Sequence, residues 1–264
     1  MLRPRIIPCL LIQNGGLVKT VQFKPGKYVG DPLNAVRIFN EKMVDELVVL
    51  DIDASRHRRP IDYRLIANLA AECRMPLCYG GGVASVEDAL RLIGLGVEKV
   101  AISSAALRDP LLITRIAEAV GRQSVVVVVD LLRRKKLFGN AIEMRIANGT
   151  EAVPGDPFTF IAGLEELGAG EVVINAIDRD GMMQGYDLDL AERARACTSL
   201  PLTILGGAGS LDDIAGLIAH FGIIGSAAGS AFVFKGKYRA VLITYPTAGE
   251  KATLVAQARL AGSD

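Results

Sequence analysis

The chain has 264 residues, half of them hydrophobic, and its 30 basic and 29 acidic side chains leave a formal charge of +1. This near-neutral balance argues against bulk electrostatic binding to nucleic acid or to a membrane surface, and the length suits one barrel of about 250 residues. The four cysteines and two histidines are scattered, so we expect free thiols, no metal site and no cofactor. Its apolar segments are too short to span a membrane and lack the layout of a signal peptide, so we expect a cytoplasmic protein.

Eight nearly continuous apolar segments alternate with amphipathic ones along the chain. The eight lie at residues 5–11, 46–52, 76–79, 99–103, 124–130, 171–177, 201–205 and 223–228. Continuous hydrophobicity is typical of strands buried on both faces, and alternation with helices requires right-handed crossovers between parallel strands. The sequence therefore predicts an α/β fold, a (β/α)8 TIM barrel, as one domain over 1–264.

Helix starts and long loops can be placed from local signals. Asp31-Pro32, Asp109-Pro110 and Asp156-Pro157 each combine a capping carboxylate with a proline suited to the first helical position. Residues 12–30 and 131–155 read as long loops after the first and fifth strands, and Asn148-Gly149 predicts a hairpin in the second. Loops that follow strands lie on the C-terminal face, where barrel active sites are built.

Part of the chain repeats at an offset of 125 residues. Residues 76–88 align with 201–213, and residues 46–53 align with 171–178. Each pairing covers a hydrophobic strand or a Gly-rich turn into a helix. The repeat predicts two half-barrels, at about 1–123 and 124–264.

Glycine turns in both halves predict two anion sites. Gly80-Gly81-Gly82 and Gly206-Gly207-Ala208-Gly209 follow strands three and seven, and Ser103-Ser104 and Gly229-Ser230 follow strands four and eight. Glycines let backbone N–H groups and helix N-termini approach a phosphate closely. Two such sites half a barrel apart suggest a long substrate with a phosphate at each end. The alternative is that these glycines serve only tight turns.

Charged residues cluster at both ends of the predicted barrel. Three loops on the C-terminal face are basic and would attract an anion. The alternative is that each is an ordinary solvated loop. The loops carry Lys19, Lys24 and Lys27; Arg56, Arg58 and Arg59; and Arg133, Arg134, Lys135 and Lys136. At the other end, four strands open on charges of alternating sign: Arg5, Glu46, Lys99 and Glu171. Buried charges need partners, so we expect an ion-paired ring that is either a structural seal or a gate.

These residues resemble the cyclase subunit family of imidazole glycerol phosphate synthase over most of the chain, from Arg5 to about Tyr245. The motifs that carry the resemblance are residues 5–10, 45–47, 80–82, 177–181 and 206–209. The resemblance implies a bis-phosphorylated ribulosyl substrate and a glutaminase docked on the N-terminal face. It also implies that ammonia enters through the barrel and that the four charged residues form its gate.

In that family two aspartates at strand ends act as general acid and base. The resemblance places the second at Asp130, but the first falls on Leu11, which cannot exchange a proton. General acid–base groups contribute about 10²–10⁴-fold each, so we expect weak cyclase activity. It also implies a substrate site at Lys19, Asp51, Gly81, Gly82, Ser103, Ser104, Asn175, Asp180, Gly206, Gly207, Gly229 and Ser230. Ser103, Asn175 and Leu205 depart from the family's usual residues.

One branch of the family is similar to this chain in lacking the first aspartate. It is the cyclase-like subunit of the acetamidino-sugar amidotransferase system of bacterial surface glycans. The motifs that match it are residues 28–32, 34–40, 76–80 and 232–243. This resemblance implies a glutaminase and a sugar amidotransferase as partners, with ammonia converting an N-acetyl group into an acetamidino group on a phosphorylated or nucleotide-linked sugar.

Three alternatives stay open. The chain could be a true cyclase of histidine biosynthesis in which Asp51 or Asp180 compensates for Leu11. It could be a non-catalytic scaffold or activator of its glutaminase. It could also be an unrelated phosphate-binding barrel, including a flavin binder.

Overall fold

The computed structural model describes residues 3–135 and 140–261, and eight of its strands close into a parallel barrel. In chain order the strands are β1 (Arg5–Gln13), β2 (Gly16–Lys19), β3 (Lys27–Gly30), β4 (Leu47–Asp51), β5 (Leu77–Gly80), β6 (Lys99–Ile102), β7 (Val125–Lys135), β8 (Asn140–Ile146), β9 (Glu151–Val153), β10 (Glu171–Ala176), β11 (Leu202–Leu205), β12 (Gly225–Ala228), β13 (Phe234–Lys235) and β14 (Ala240–Val241). The helices are α1 (Pro32–Glu41), α2 (Ala54–His57), α3 (Tyr63–Glu72), α4 (Val86–Gly94), α5 (Ser104–Arg108), α6 (Leu111–Val120), α7 (Pro157–Gly163), α8 (Leu188–Cys197), α9 (Leu211–Phe221), α10 (Ser230–Val233) and α11 (Ala248–Ala261).

The barrel runs β1-β4-β5-β6-β7-β10-β11-β12 and closes where β12 pairs with β1. All eight pairings are parallel, as the alternating pattern predicts. The predicted (β/α)8 TIM barrel is therefore confirmed. Its division into half-barrels at 1–123 and 124–264, as one domain, stays a prediction.

Side chains fill the barrel interior in alternate positions along each strand. The interior cluster consists of Ile7, Cys9, Val48, Cys78, Ala101, Val126, Val128, Val173, Leu205 and Ala227. A second, larger apolar cluster lies between the strands and the surrounding helices. Because both faces of the strands are buried, the strand segments are continuously hydrophobic. The barrel is therefore packed rather than open, and the site lies above its core.

The register of the strands places Leu11 and Asp130 across the barrel from each other. Leu11 pairs with Leu50, and the register continues through β5 and β6 to Val126 on β7, four strands and half a circumference away. In an eight-stranded barrel of this type the paired position descends by about one residue per strand. Asp130, four residues beyond Val126, is therefore level with Leu11.

The two segments read as long loops are mostly strands, and that expectation was wrong. The first contains β2 and β3, which extend β1 as antiparallel strands, and the second contains an extension of β7 paired with β8 and β9. Their polar side chains on one face hid the strand pattern. The hairpin predicted at Asn148-Gly149 is confirmed: it joins β8 to β9, and both residues have positive φ.

Two of the three predicted helix starts are confirmed. Asp31 and Asp156 cap α1 and α7, each followed by a proline in the first turn. The start at Asp109 was wrong, because Asp109 ends α5 and its carboxylate accepts a hydrogen bond from Arg115 instead. Helix α6 begins at Leu111 without a side-chain cap.

The internal repeat extends to the hydrogen bonds that begin two helices. Ser85 and Asp88 form a capping box at the start of α4, and Ser210 and Asp213 form the same box at the start of α9. In each box the aspartate also accepts from the N–H just before the serine, at 3.0 Å from Ala84 and 2.8 Å from Gly209. Both glycine turns therefore lead into helices with equally organised N-termini.

The described residues contain no helix both long and apolar enough to cross a bilayer.

Candidate active site

The C-terminal ends of the barrel strands surround a cavity with a free volume of about 120 Å³ that opens into solvent. Every catalytic or substrate residue predicted from the sequence lines it: Leu11, Lys19, Asp51, Gly81, Gly82, Ser103, Ser104, Asp130, Asn175, Asp180, Gly206, Gly207, Gly229 and Ser230. Residues from both halves of the chain thus converge on one face of the barrel. This is the face on which TIM-barrel active sites are found.

Asp130 is the carboxylate with the clearest catalytic environment. It ends the inward-facing row of β7 and accepts hydrogen bonds from Asn175 Nδ2 at 2.8 Å and Ser103 Oγ at 3.3 Å. Burial raises the pKa of Asp130 to about 7, against the opposite effect of these two hydrogen bonds. A carboxylate whose pKa lies near neutral pH can both accept and return a proton under physiological conditions.

The wall opposite Asp130 is apolar. Leu11, Leu50 and Leu205 all line the cavity, and the first two pack against the interior cluster that contains the third. Leucine has no ionisable group, so the strand end that faces Asp130 provides no proton-transfer partner. The carboxylates that line the cavity are therefore Asp130 on β7 and, away from Leu11's position, Asp51 and Asp180.

Lys19 and Asp180 are buried polar groups at the edge of the same cavity. Lys19 Nζ donates to the Cys9 carbonyl at 2.5 Å, and burial lowers the pKa of Lys19. Asp180 accepts from Thr20 Oγ1 at 2.6 Å, and burial raises the pKa of Asp180. Both groups are held in place before any ligand binds, which favours a binding role over a purely solvated one.

Two predicted ligand residues also have structural contacts. Asp51 Oδ1 accepts from the backbone N–H groups of Asp53 and Ala54, each at 3.0 Å, and so organises the turn after β4. Ser104 Oγ accepts from the Ala147 N–H at 3.0 Å and so anchors the β8–β9 hairpin. The hairpin in turn brings Asn148 to the cavity.

The paired glycines adopt the same backbone conformation in both halves. Gly81, Gly82, Gly206 and Gly207 all have positive φ, a region that favours glycine. A Cβ on Gly81 would lie 2.3 Å from the Asp51 carbonyl, and one on Gly206 would lie 2.7 Å from the Ala176 carbonyl. Tight turns thus explain these glycines, and all four also line the cavity.

Two of the three basic clusters are partly neutralised by acidic side chains. Arg59 pairs with Asp53 at 2.6 Å, and Arg133 pairs with Asp187 at 2.5 Å. Arg133 also pairs with Asp189, and Arg134 pairs with Glu143. The expectation of a strongly positive mouth is therefore weakened, because acidic side chains distant in sequence neutralise part of it; Lys136 lies outside the described residues.

The four charged residues at the other end form the predicted ion-paired ring. Arg5 pairs with Glu46 at 2.5 Å and with Glu171 at 2.7 Å, while Lys99 pairs with the same two carboxylates at 2.9 and 2.8 Å. Both carboxylates are buried, and neighbouring cations lower the pKa of Glu171 against the effect of burial. Each charge has two partners of opposite sign, so the ring closes the bottom of the barrel.

A second, narrow cavity lies between the ring and the upper cavity. Its free volume of about 10 Å³ suits the centre of one water-sized molecule. Glu46 and Glu171 line it below, while Cys9, Leu50 and Leu205 line both this cavity and the upper one. Apolar side chains therefore line the space between the ring and the upper cavity.

Sequence reasoning missed several residues of the cavity. Thr20 and Phe23 follow β2 and both donate to Asp180, from a side-chain hydroxyl and a backbone N–H respectively. Ser55 Oγ accepts from the Gly82 N–H at 3.3 Å. All three line the cavity, and none belongs to a motif or to the repeat, so no sequence signal distinguishes them.

A family model described as "Histidine biosynthesis protein" matches residues 5–239. The chain belongs to this family. The ring at the bottom and the duplicated glycine turns at the top lie within the matched region.

Curated relatives match over almost the whole chain. A Vibrio vulnificus protein, provisionally named imidazole glycerol phosphate synthase subunit hisF3, is 57% identical over 95% of this chain and 96% of its own. A Pseudomonas aeruginosa protein, provisionally named subunit hisF2, is 51% identical over 93% of this chain and 97% of its own. Imidazole glycerol phosphate synthase subunit HisF of Lactococcus lactis subsp. cremoris is 40% identical over 81% and 82%.

Proposed function

We propose that the chain is the ammonia-receiving barrel subunit of a glutamine-dependent amidotransferase complex. The observation that carries this proposal is the alignment of three features along the barrel axis: the charged ring, the narrow apolar cavity and the upper cavity with Asp130. A glutaminase would dock on the N-terminal face around the ring. Ammonia released there would pass the ring and reach the upper cavity without entering bulk water.

The residues of the upper cavity have separate roles in this proposal. The two glycine turns, with Ser103 and Ser230, hold anionic groups of the substrate, and Lys19 adds a cation. Asp130, whose pKa is about 7, takes a proton from the attacking amine as its nitrogen forms a bond to carbon. Asn175 and Ser103 donate to the Asp130 carboxylate and fix its orientation.

The missing carboxylate at Leu11 favours an acetamidino product as the finer assignment. In that reaction the ammonia nitrogen bonds to the acetamido carbonyl carbon of a phosphorylated or nucleotide-linked sugar, and the carbonyl oxygen leaves. A sugar amidotransferase would first transfer a phosphoryl or adenylyl group from ATP to that oxygen, so that the oxygen leaves as phosphate or AMP and the barrel needs no second acid of its own.

The second candidate is the cyclase reaction of histidine biosynthesis. The names of the relatives favour this candidate over the acetamidino product, since each of the three is named for imidazole glycerol phosphate synthase. It requires a second proton-transfer group in place of Leu11. Asp180 and Asp51 both line the cavity and have raised pKa values caused first by burial, which makes them the available substitutes. In either case a cytoplasmic location is part of the proposal, because glutamine and phosphorylated sugars are found there.

The experiment compares two substrates and two nitrogen sources. The chain is coexpressed with its glutaminase, with and without the sugar amidotransferase, and offered the bis-phosphorylated ribulosyl substrate or an acetamido sugar nucleotide. Each is tested with glutamine and with an ammonium salt, and products are identified by mass. Amidine formation supports the finer proposal, while rapid turnover of the ribulosyl substrate supports the cyclase. If glutamine increases product formation by the complex in none of these combinations, both candidate functions are rejected.

A further inference from the structure

The charged ring has a fifth polar member on the next strand. Thr203 on β11 is 1% exposed and lines the narrow cavity beside the ring. Its Oγ1 donates to Glu171 Oε1 at 2.6 Å and accepts a weaker hydrogen bond from Arg5 Nη2 at 3.3 Å. Its hydroxyl fits because residue 225 is glycine: a Cβ there would lie 1.9 Å from Thr203 Oγ1.

Thr203 makes the two carboxylates of the ring unequal. Glu171 Oε1 receives two donors, Arg5 and Thr203, and its Oε2 receives Lys99 at 2.8 Å and Arg5 at 3.2 Å. Among the described contacts of Glu46, Oε1 receives Lys99 at 2.9 Å and Oε2 receives Arg5 at 2.5 Å. If Arg5 leaves the ring, Glu171 still has a donor on each oxygen.

With Thr203 in place, departure of Arg5 leaves one carboxylate oxygen of the ring, Glu46 Oε2, without a described donor instead of two. The Arg5 side chain is also the more exposed cation, at 25% against 19% for Lys99. A buried carboxylate oxygen left without a donor is strongly destabilising, and the Thr203 hydroxyl prevents this at Glu171. In the closed ring Arg5 and the hydroxyl both donate to this oxygen, whereas after Arg5 leaves the hydroxyl is its remaining described donor.

We propose that Thr203 is a positioning residue that holds Glu171 when Arg5 swings out, and thereby makes opening of the ring on the Arg5 side possible. The proposal rests on the proposed function for its purpose, the passage of ammonia. Its geometry stands apart from the identity of the substrate. It predicts that loss of the hydroxyl makes the ring harder to open. If the Thr203–Glu171 hydrogen bond served only to hold the ring closed, its loss would make the ring easier to open.

Cys78 provides a reporter of opening that needs no partner protein. It is 1% exposed and lines the narrow cavity with Thr203. In a chain that keeps Cys78 and carries alanine at Cys9, Cys73 and Cys197, the rate of labelling by methyl methanethiosulfonate follows the population of open ring. Burial raises the pKa of the Cys78 thiol, so all variants are compared at one pH.

The expected result is that Thr203→Val slows Cys78 labelling by about tenfold, while Thr203→Ser, which keeps the hydroxyl, leaves it within about twofold. In an Arg5→Ala background, where the guanidinium is absent, Cys78 labelling should be fast. Adding Thr203→Val there should change the labelling rate by less than about twofold. Equal or faster labelling of Thr203→Val than of the parent would overturn the proposal.

Two controls separate opening at the ring from other routes. A chain whose one cysteine is introduced by Ser55→Cys reports access through the upper cavity, which Ser55 lines, and its labelling should not respond to Thr203→Val. Urea unfolding of each variant identifies labelling by global unfolding. If the complex forms no product from glutamine but Thr203→Val still slows Cys78 labelling, the proposed function fails while the role of Thr203 stands. If product forms from glutamine but Cys78 labelling is not slowed, only the role of Thr203 is rejected.

Discussion

Asp130 and Leu11 occupy level positions on opposite sides of the barrel, four strands apart. One side provides a carboxylate held by Asn175 and Ser103, and the other provides a branched alkyl group beside Leu50 and Leu205. The duplicated architecture is therefore preserved in the backbone, while the chemistry at the strand ends is one-sided. This asymmetry determines which reactions the chain can catalyse alone.

Restoring the second carboxylate should raise cyclase activity if the rest of the site is competent. Leu11→Asp is expected to increase ammonia-dependent turnover of the bis-phosphorylated ribulosyl substrate by about 10²-fold or more, because it supplies a general acid–base group. The measurement is kcat with saturating ammonium. Leu11→Asn is the matched control, since it has the same shape and cannot exchange a proton. An equal gain in both variants would show that pocket shape, rather than proton transfer, limits the parent.

The raised pKa of Asp130 predicts both a rate profile and a stability profile. As a general base it acts when ionised, so kcat should rise with pH through about 7 and then level off, and Asp130→Asn should remove activity and this dependence. The folded carboxyl binds its proton more tightly than the unfolded one, so stability falls as pH rises from about 4 to 7. At pH 8 Asp130→Asn should therefore be more stable than the parent, by roughly 2 kcal/mol or more, in urea unfolding. Its conservative partner, Asp130→Glu, should keep the pH dependence; equal stability of Asp130→Asn and the parent at pH 4 and pH 8 would argue against the raised pKa.

Breaking the charged ring should affect stability and ammonia transfer together. Glu46→Gln leaves Arg5 and Lys99 facing a single buried carboxylate, and loss of one partner of a buried pair destabilises by about 3–5 kcal/mol. The variant should also lower product formation with glutamine more than with ammonium. Glu118→Gln, on the exposed face of α6, is the control for loss of one surface charge. A stable Glu46→Gln variant with unchanged coupling would contradict the account of the ring.

The anion-binding role of the glycine turn at Gly82 can be tested without knowledge of the substrate. Gly82→Ala places a side chain at φ +77° and within 3.1 Å of the Ala54 side chain, so the turn should shift and inorganic phosphate should bind at least about tenfold more weakly. Binding is measured as the phosphate-dependent rise in Tm. Gly94→Ala, which meets open space at the end of α4, should keep the full rise. An unchanged rise in the Gly82 variant would assign phosphate to some other surface.

The sequence was sufficient for the barrel because its signals are local. Continuous apolar strands, Asp-Pro caps and the glycine turns depend on neighbours in the chain. Local signals also indicated the glycines and serines of the cavity, whereas its other predicted residues came from the resemblance to the family. Asp109 shows the limit, because its carboxylate serves Arg115 rather than the helix it precedes.

What sequence reasoning missed depends on contacts between distant segments. Asp187 and Asp189 neutralise Arg133 from more than 50 positions away, so the basic cluster looked freer than it is. Thr203 is part of a plain apolar strand, and its bond to Glu171 follows from the register of β10 and β11. Such pairings cannot be assigned before the strands are in place.

The most direct test of the central claim follows the amide nitrogen of glutamine through the complex. The chain and its glutaminase are given [amide-15N]glutamine together with an excess of unlabelled ammonium, and the 15N fraction of the product is measured by mass spectrometry. Passage through the barrel predicts a product that keeps most of the label in the parent complex and loses it in Glu46→Gln. A product whose label matches the bulk ammonium in the parent complex would contradict the account.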